Sequence, residues 1–367
     1  MNKILGVLLA LSIASAAFAA DTVRIGLMAP LTGPWASEGQ EMKQIVELLA
    51  DQLNAKGGTQ FEIVAEDDAG DPRTASLAAQ RLSTKNVVAV VGTYGSSITE
   101  ASQSIYDESE IIQIATGSTA VRLTEKGLNF FFRTCPRDDE QGRVAAKTIM
   151  SNGWKKVAIL HDNTSYAKGL AEEAEGLLKK EGVEVVFFDA LTPGERDYAA
   201  IITKIKSAGP DGVFFTGYYP EAGLILRQKM DMGWNVPFLG GDATNNPDLV
   251  KIAGEKAAEG YMFLSPPVPQ DLTTEAATSF INAYKAKYNA EPGSIWAVLA
   301  GDAFLVAAEG VNGAGSTDTT KVAEYLKAGM KDFPALTGSI NFDNKGDRIG
   351  DLYKVYKVDG AGKFIMQ

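Results

Sequence analysis

The chain has 367 residues, of which 45% are hydrophobic and 22% charged, and a formal net charge of −11. That is enough chain for two domains of ordinary size, and the acidic balance argues against nucleic acid or an anionic membrane surface as a partner. With one cysteine (Cys135) and one histidine (His161), an intramolecular disulfide and a zinc site of the usual nitrogen and sulfur kind are both excluded.

Met1-Asn2-Lys3 precedes an apolar run from Ile4 to Ile13, and Ala17-x-Ala19 follows. This is the pattern of a secretory signal peptide, with cleavage expected near Ala19. The run is too short to span a bilayer. No later segment is expected to cross one, and no cysteine stands directly after the cleavage site to carry a lipid, so the mature protein is expected to be exported and soluble.

Strands and helices then alternate. Val23–Ala29, Phe61–Ala65, Val87–Val91 and Ile111–Ala115 read as strands, and Glu38–Lys56, Arg73–Asn86 and Ser97–Asp107 as the helices between them. The rhythm repeats with strands at Lys156–Leu160, Val183–Phe188, Gly212–Thr216 and Pro237–Leu239, separated by helices at Ala167–Glu181, Tyr198–Ser207 and Glu221–Met232. Continuous apolar strands in this order predict α/β lobes with parallel sheets covered on both faces. Beyond them, Ser265-Pro266-Pro267-Val268-Pro269 is too proline-rich for a helix or a central strand. Helices are expected at Leu272–Tyr288, Ser294–Val311 and Thr319–Ala328, and a strand at Tyr353–Val358.

The two halves correspond in element order. The third strand of the first half ends in Gly92-Thr93-Tyr94-Gly95-Ser96-Ser97 and the fourth in Ala115-Thr116-Gly117-Ser118-Thr119. Their counterparts are Gly217-Tyr218-Tyr219 and Gly240-Gly241-Asp242-Ala243. Ligands of open α/β sheets sit outside the carboxyl ends of the strands, so two facing sheets would bring all four loops to one cleft. Ser96 and Thr119 offer hydroxyls, and the helix after Ser96 offers free N–H groups to an anion. Asp242 offers the opposite charge, and Tyr218 and Tyr166 offer apolar faces with polar tips. Such a bipolar site suits a zwitterion. Ser96 and Ser97 have no evident base, neither the dinucleotide nor the P-loop fingerprint occurs, and the clusters Glu66-Asp67-Asp68 and Asp138-Asp139-Glu140 read as a strand end and a helix cap. Neither catalysis, nor a metal, nor a cofactor is expected.

These features carry a family resemblance. Leu31-Thr32-Gly33-Pro34, Asn54-Ala55-Lys56-Gly57-Gly58, Asp67-Asp68-Ala69-Gly70-Asp71-Pro72, Asp139-Glu140-Gln141-Gly142, His161-Asp162-x-x-x-Tyr166, Gly217-Tyr218-Tyr219-Pro220-Glu221, Ile252-Ala253-Gly254-Glu255 and Phe342-Asp343-x-x-Gly346-Asp347 stand in the order seen in type I periplasmic solute-binding proteins of ABC transporters. The chain most resembles the leucine/isoleucine/valine-binding branch. The resemblance implies two Rossmann-like lobes joined by three crossovers, with residues 20–137 and 265–352 in one lobe and 138–264 and 353–367 in the other. It also implies a periplasmic monomer that closes on an amino acid, aliphatic or branched-chain, and delivers it to a membrane permease. By the same resemblance Ser96 binds the carboxylate and Thr119, beside Ser118, holds the head group. The Gly117 carbonyl and Asp242 take the ammonium, and Tyr166 and Tyr218 line the pocket.

The chain departs from the family pattern at three places. A disulfide common in the family joins positions that are here Gly70 and Gly95. Glu38 and Ser294 stand where aromatic residues are common, which points to a smaller or more polar side chain than that of leucine. Trp35, three residues before Glu38, is placed to replace the lost ring, and Tyr94 joins it as a candidate wall. The alternatives left open are a short amide or urea, an aromatic acid, or a regulatory sensor of a small ligand. The chain's end at Gln367 without a transmembrane helix speaks against the last.

Overall fold

A computed structural model describes residues 22–367; the expected leader and its cleavage site lie outside the described residues. The first half runs β1 (Thr22–Ala29), α1 (Ala36–Ala55), β2 (Gln60–Asp67), α2 (Pro72–Ser83), β3 (Val87–Val91), α3 (Ser96–Glu108), β4 (Ile112–Ala115) and β5 (Phe131–Arg133). The second runs α4 (Asp138–Ser151), β6 (Lys156–His161), α5 (Ser165–Lys180), β7 (Glu184–Ala190), α6 (Ala199–Ala208), β8 (Gly212–Phe215), α7 (Tyr219–Asp231), β9 (Phe238–Gly240), α8 (Asp248–Ala253), α9 (Glu255–Ala258) and β10 (Met262–Ser265). The remainder is α10 (Glu275–Tyr288), α11 (Ile295–Ala314), α12 (Thr319–Glu324), the hairpin β11 (Phe333–Ala335) and β12 (Gly338–Ile340), and the strands β13 (Lys354–Val358) and β14 (Phe364–Met366).

The first sheet has the order β2-β1-β3-β4-β5 and is parallel throughout. The second has the order β14-β13-β10-β9-β8-β6-β7. Its β13 and β14 are an antiparallel edge on a parallel body. That body, read from β7 to β10, repeats the strand order of the first sheet. The loops after β3 and β8 are therefore equivalent, as are those after β4 and β9, and the pairing of Ser96 with Tyr218 and of Thr119 with Asp242 follows from topology. In both sheets the strand order reverses at the first strand, and the crevice for ligands opens there.

The chain passes between the sheets three times. It leaves the first after β5 and the second after β10, then rejoins the second at β13. In between, α11 packs on α1, β3 and β4. Among the described residues α11 is one helix apolar and long enough to cross a membrane, with a mean hydropathy of 1.4 over its most apolar stretch. It is apolar all round because it is buried within the fold.

Boundaries shift where side-chain caps act. Helix α10 begins at Glu275 rather than Leu272 because the Thr274 hydroxyl accepts from the Ala277 N–H at 3.1 Å. Helix α12 stops at Glu324 and passes into a π-helical turn over Tyr325–Gly329. Strands β5, β10, β11, β12 and β14 have no counterpart in the sequence reading, being three or four residues long. Periodicity is uninformative over so short a run.

Candidate functional site

Gly95 caps α3 without a side chain, which leaves the N-terminus of that helix to face the cleft, with Ser96 as its first residue. The Ser96 hydroxyl accepts from the Ala120 N–H at 3.2 Å, tying the loop after β3 to the loop after β4. Thr119 is fully buried and its hydroxyl has no partner. Gly117 is packed against the Tyr94 ring, where a Cβ would come within 2.7 Å of Cδ2. Ser118 corrects the expectation of a ligand-facing hydroxyl. Its oxygen accepts from Thr99 Oγ1 at 2.7 Å and lies 3.2 Å from the Thr93 carbonyl, so it braces the loop from beneath.

The opposite wall is acidic and phenolic. Asp242, buried after β9, accepts from Tyr353 Oη at 2.5 Å, and its N–H donates to Gln141 Oε1 at 2.8 Å. Tyr166 Oη accepts from the Ala243 N–H at 3.4 Å. Burial pushes the Asp242 carboxyl above its ordinary value, and the Tyr353 and Tyr166 hydroxyls counter only part of that shift.

Between the two walls stand aromatic rings. Trp35 stacks on Tyr218 at 4.2 Å between centroids and meets Tyr94 edge-on at 5.6 Å. Tyr166 lies 5.5 Å from Tyr218, and Trp296 lies 6.3 Å from Tyr94. The Trp35 indole is seated over Gly70 and Gly95, where added Cβ atoms would stand 2.8 Å and 3.0 Å from its ring. Gly70 and Gly95 thus form a slot for this indole. Outside the Trp35–Tyr218 stack, a cavity of about 800 Å³ opens between the sheets, bordered by Pro34, Glu100, Arg122, Asp162 and Glu221.

Glu38 is fully buried, with both carboxylate oxygens engaged. Asn246 Nδ2 donates to Oε1 at 2.5 Å, and the Ser294 hydroxyl donates to Oε2. Burial raises the Glu38 carboxyl to about 8, outweighing both hydrogen bonds, and Glu41 and Asp248 add repulsion. Ser294 caps α11, accepting from the N–H groups of Trp296 and Ala297 at 3.1 Å and 3.2 Å. Its hydroxyl is therefore committed to the helix and to Glu38. The polar pair expected to face a ligand instead forms an internal contact that reaches across to Asn246.

Other bonds close the cleft. Tyr219 Oη lies 3.0 Å from Ser37 Oγ and donates to the Pro34 carbonyl at 3.1 Å. Arg122 Nη2 donates to the Ser165 carbonyl at 3.1 Å. Sequence reasoning missed Gln141, Asn246, Trp296 and Tyr353. Gln141 sits in a motif quoted for the resemblance; the others carry no local signal, because only folding brings them to the cleft. His161 is the last residue of β6, and its Nδ1 accepts from the Asn163 N–H at 3.0 Å. In the first acidic cluster, Glu66 pairs with Arg81, and Asp67 accepts from the Leu31 and Thr32 N–H groups. In the second, no side chain caps α4; Asp139 pairs with Arg137 and Glu140 accepts from the Leu352 and Tyr353 N–H groups.

The family described as "Periplasmic binding protein" matches residues 22–363. The chain belongs to this family, and its two Rossmann-like lobes with parallel sheets joined by three crossovers are the type I periplasmic binding protein fold. Within the family it falls in the leucine/isoleucine/valine-binding branch. It is 37% identical over 349 residues to the leucine-, isoleucine-, valine-, threonine- and alanine-binding protein of Pseudomonas aeruginosa, covering 94% of this chain and 92% of that one. Among solved structures it is similar to a leucine-binding protein from Thermotoga maritima, with a TM-score of 0.87, 29% identity and coverage of 94% and 97%. It is also similar to a branched-chain amino acid transporter substrate-binding protein from Streptococcus pneumoniae in complex with isoleucine, with a TM-score of 0.84, 29% identity and coverage of 94% and 100%.

Proposed function

We propose that this protein is the extracytoplasmic substrate-binding component of an ABC importer. It binds an aliphatic or branched-chain amino acid between its lobes, closes over it and presents it to a membrane permease. The observation that carries this reading is the opposition of chemistries at equivalent strand ends. Helix N–H groups and the Ser96 and Thr119 hydroxyls stand on one side, and the buried carboxylate of Asp242 on the other. A carboxylate and an ammonium on one carbon satisfy both at once, and charge-assisted hydrogen bonds in a closed cleft are strong. The relatives that bind leucine, isoleucine, valine, threonine and alanine support the amino-acid class.

In this reading Ser96 and Thr119 hold the carboxylate end, the Gly117 carbonyl and Asp242 hold the ammonium, and Tyr94, Tyr166, Tyr218 and Trp35 wall the side chain. Residues 20–137 with 265–352 form one lobe, and 138–264 with 353–367 the other. Ligand shifts a hinge equilibrium because it bridges both lobes only when they are closed. The mature protein, cut near Ala19, works as a periplasmic monomer without cofactor or catalysis. Calorimetry of the mature protein against the twenty amino acids, benzoate and urea tests the reading. Saturable binding of one or more of leucine, isoleucine, valine, alanine and threonine is expected. Binding of benzoate or urea with no amino-acid binding would overturn it.

A further inference from the structure

The wall behind Asp242 holds a second acid to which the resemblance gives no role. Asp138, the first residue of α4, is 2% exposed. Its N–H donates to the Thr119 carbonyl at 3.0 Å, and its Oδ1 accepts from Gln141 Nε2 at 2.9 Å. The same Nε2 donates to Tyr353 Oη at 3.1 Å, and that phenol donates to Asp242. Gln141 Oε1 closes the circuit by accepting from the Asp242 N–H. One amide and one phenol thus close a ring of hydrogen bonds on Asp242, and the same amide ties Asp138 to it.

The network is open on its inner side. Asp138 Oδ2 and the Thr119 hydroxyl turn toward each other, the hydroxyl tempering the rise of the Asp138 carboxyl, and neither has another partner among the described residues. Among the described residues no cation bonds either acid. Arg133 is held by Asp347, Thr124 and the carbonyls of Ser118 and Ala120, and Arg137 by Asp347, Asp139, Glu125 and Thr124. Burial and the charge of Asp242 push the Asp138 carboxyl well above the usual range. Buried carboxylates without a cation are costly unless something supplies one. A primary ammonium brings three N–H donors, as a lysine head does. Asp242 and the Gly117 carbonyl account for two of them.

We infer that Asp138 accepts the third, so that Asp138, Asp242 and the Gly117 carbonyl surround a primary α-ammonium and reject an N-substituted one. The inference rests on the amino-acid reading above. The test is calorimetry with leucine, N-methylleucine and 4-methylpentanoate, which lacks the ammonium, on the wild type, Asp138→Asn and Asp138→Glu, with ligand-free melting curves as folding controls. The wild type should bind leucine roughly tenfold or more tighter than N-methylleucine. Asp138→Asn should lose roughly tenfold or more for leucine, with little change for 4-methylpentanoate, and Asp138→Glu should recover part of the preference. Wild-type affinity for N-methylleucine equal to that for leucine would overturn the inference whether or not any variant folds. So would equal losses for all three ligands in Asp138→Asn, which would mark a structural role. Failure of the wild type to bind any α-amino acid would instead sink the functional reading, and this inference with it.

Discussion

Asp347 and Asp242 are both buried carboxylates near the crossovers, and their surroundings differ in kind. Asp347 is met by the Arg133 guanidinium, by Arg137 at 2.6 Å and by the Thr124 hydroxyl at 2.9 Å. Burial would raise its carboxyl, yet the two arginines hold it below its ordinary value. Asp242 accepts from the Tyr353 phenol, and its N–H donates to the Gln141 side-chain carbonyl, but it meets no cation among the described residues, and burial pushes it up. The fold can place an arginine beside an acid, and does so within a few residues of Asp138. In the proposed reading the ammonium of the ligand supplies the charge that Asp242 lacks, while at Asp347 the protein supplies it from Arg133 and Arg137. Arg133 also donates to the carbonyls of Ser118 and Ala120 at 3.0 Å and 2.9 Å, so it fixes the loop that carries Thr119.

The comparison breaks most visibly at Arg133. Arg133→Ala should cost about 3–5 kcal/mol of folding stability, because it leaves a buried acid short of its main partner. Urea unfolding of the ligand-free protein measures this, and a loss under 1 kcal/mol would deny the pair its structural role. Asp242→Asn should do the reverse. Ligand-free stability should hold or rise, since a buried charge is removed, while amino-acid affinity falls by about 1.5–3 kcal/mol. Unchanged affinity by calorimetry would make the ammonium assignment wrong. Ser96→Ala and Thr119→Ala should each weaken binding by roughly 1–3 kcal/mol. Thr119→Ala should leave the melting temperature the less changed of the two. Its hydroxyl has no partner within hydrogen-bond distance among the described residues, whereas that of Ser96 joins two loops.

How far the sequence carried the site follows from the same contrast. Apolar runs and glycine stops mark the first four strands of each half to within a few residues, and their equivalence pairs Thr119 with Asp242 from the sequence alone. Local pattern did not show which hydroxyl turns inward. Ser118 and Thr119 are adjacent and alike, yet one bonds Thr93 and Thr99 beneath the loop while the other stays free. Nor did it show that Asp138 turns its carboxyl inward beside Asp242, since in sequence it is one of three acids at a helix start, where the dipole alone explains them. Glu38 misled for a related reason. A carboxylate at a pocket position reads as polarity offered to a ligand until Asn246 and Ser294, remote in sequence, are seen to occupy both oxygens.

Glu38 also supplies the smallest and most conditional effect. Its bond to Asn246 joins helix α1, which packs with α11 beside the first sheet, to the segment after β9 of the second, so the proposed opening of the cleft would break the bond and return the carboxylate to water. The groups that face it are Glu41 on its own helix, Asp248 at the start of α8, the Tyr94 phenol and the neutral Ser294 and Asn246. None is a cation. In the closed form its carboxyl is raised from 4.5 to about 8, chiefly by burial. A group raised by closure favours the closed form fully below its open value and loses that contribution as pH climbs through the closed one. The ligand-free protein should therefore populate the closed form more as pH falls from about 8 toward 4.5, and Asp242, raised in the same sense, should add to the trend. Small-angle scattering across that range should show the radius of gyration shrinking on acidification. Glu38→Gln should flatten part of the trend, because the amide keeps the packing and removes the proton. A radius independent of pH in the wild type would show that Glu38 stays buried in the open form, and that the bond to Asn246 is not what senses closure.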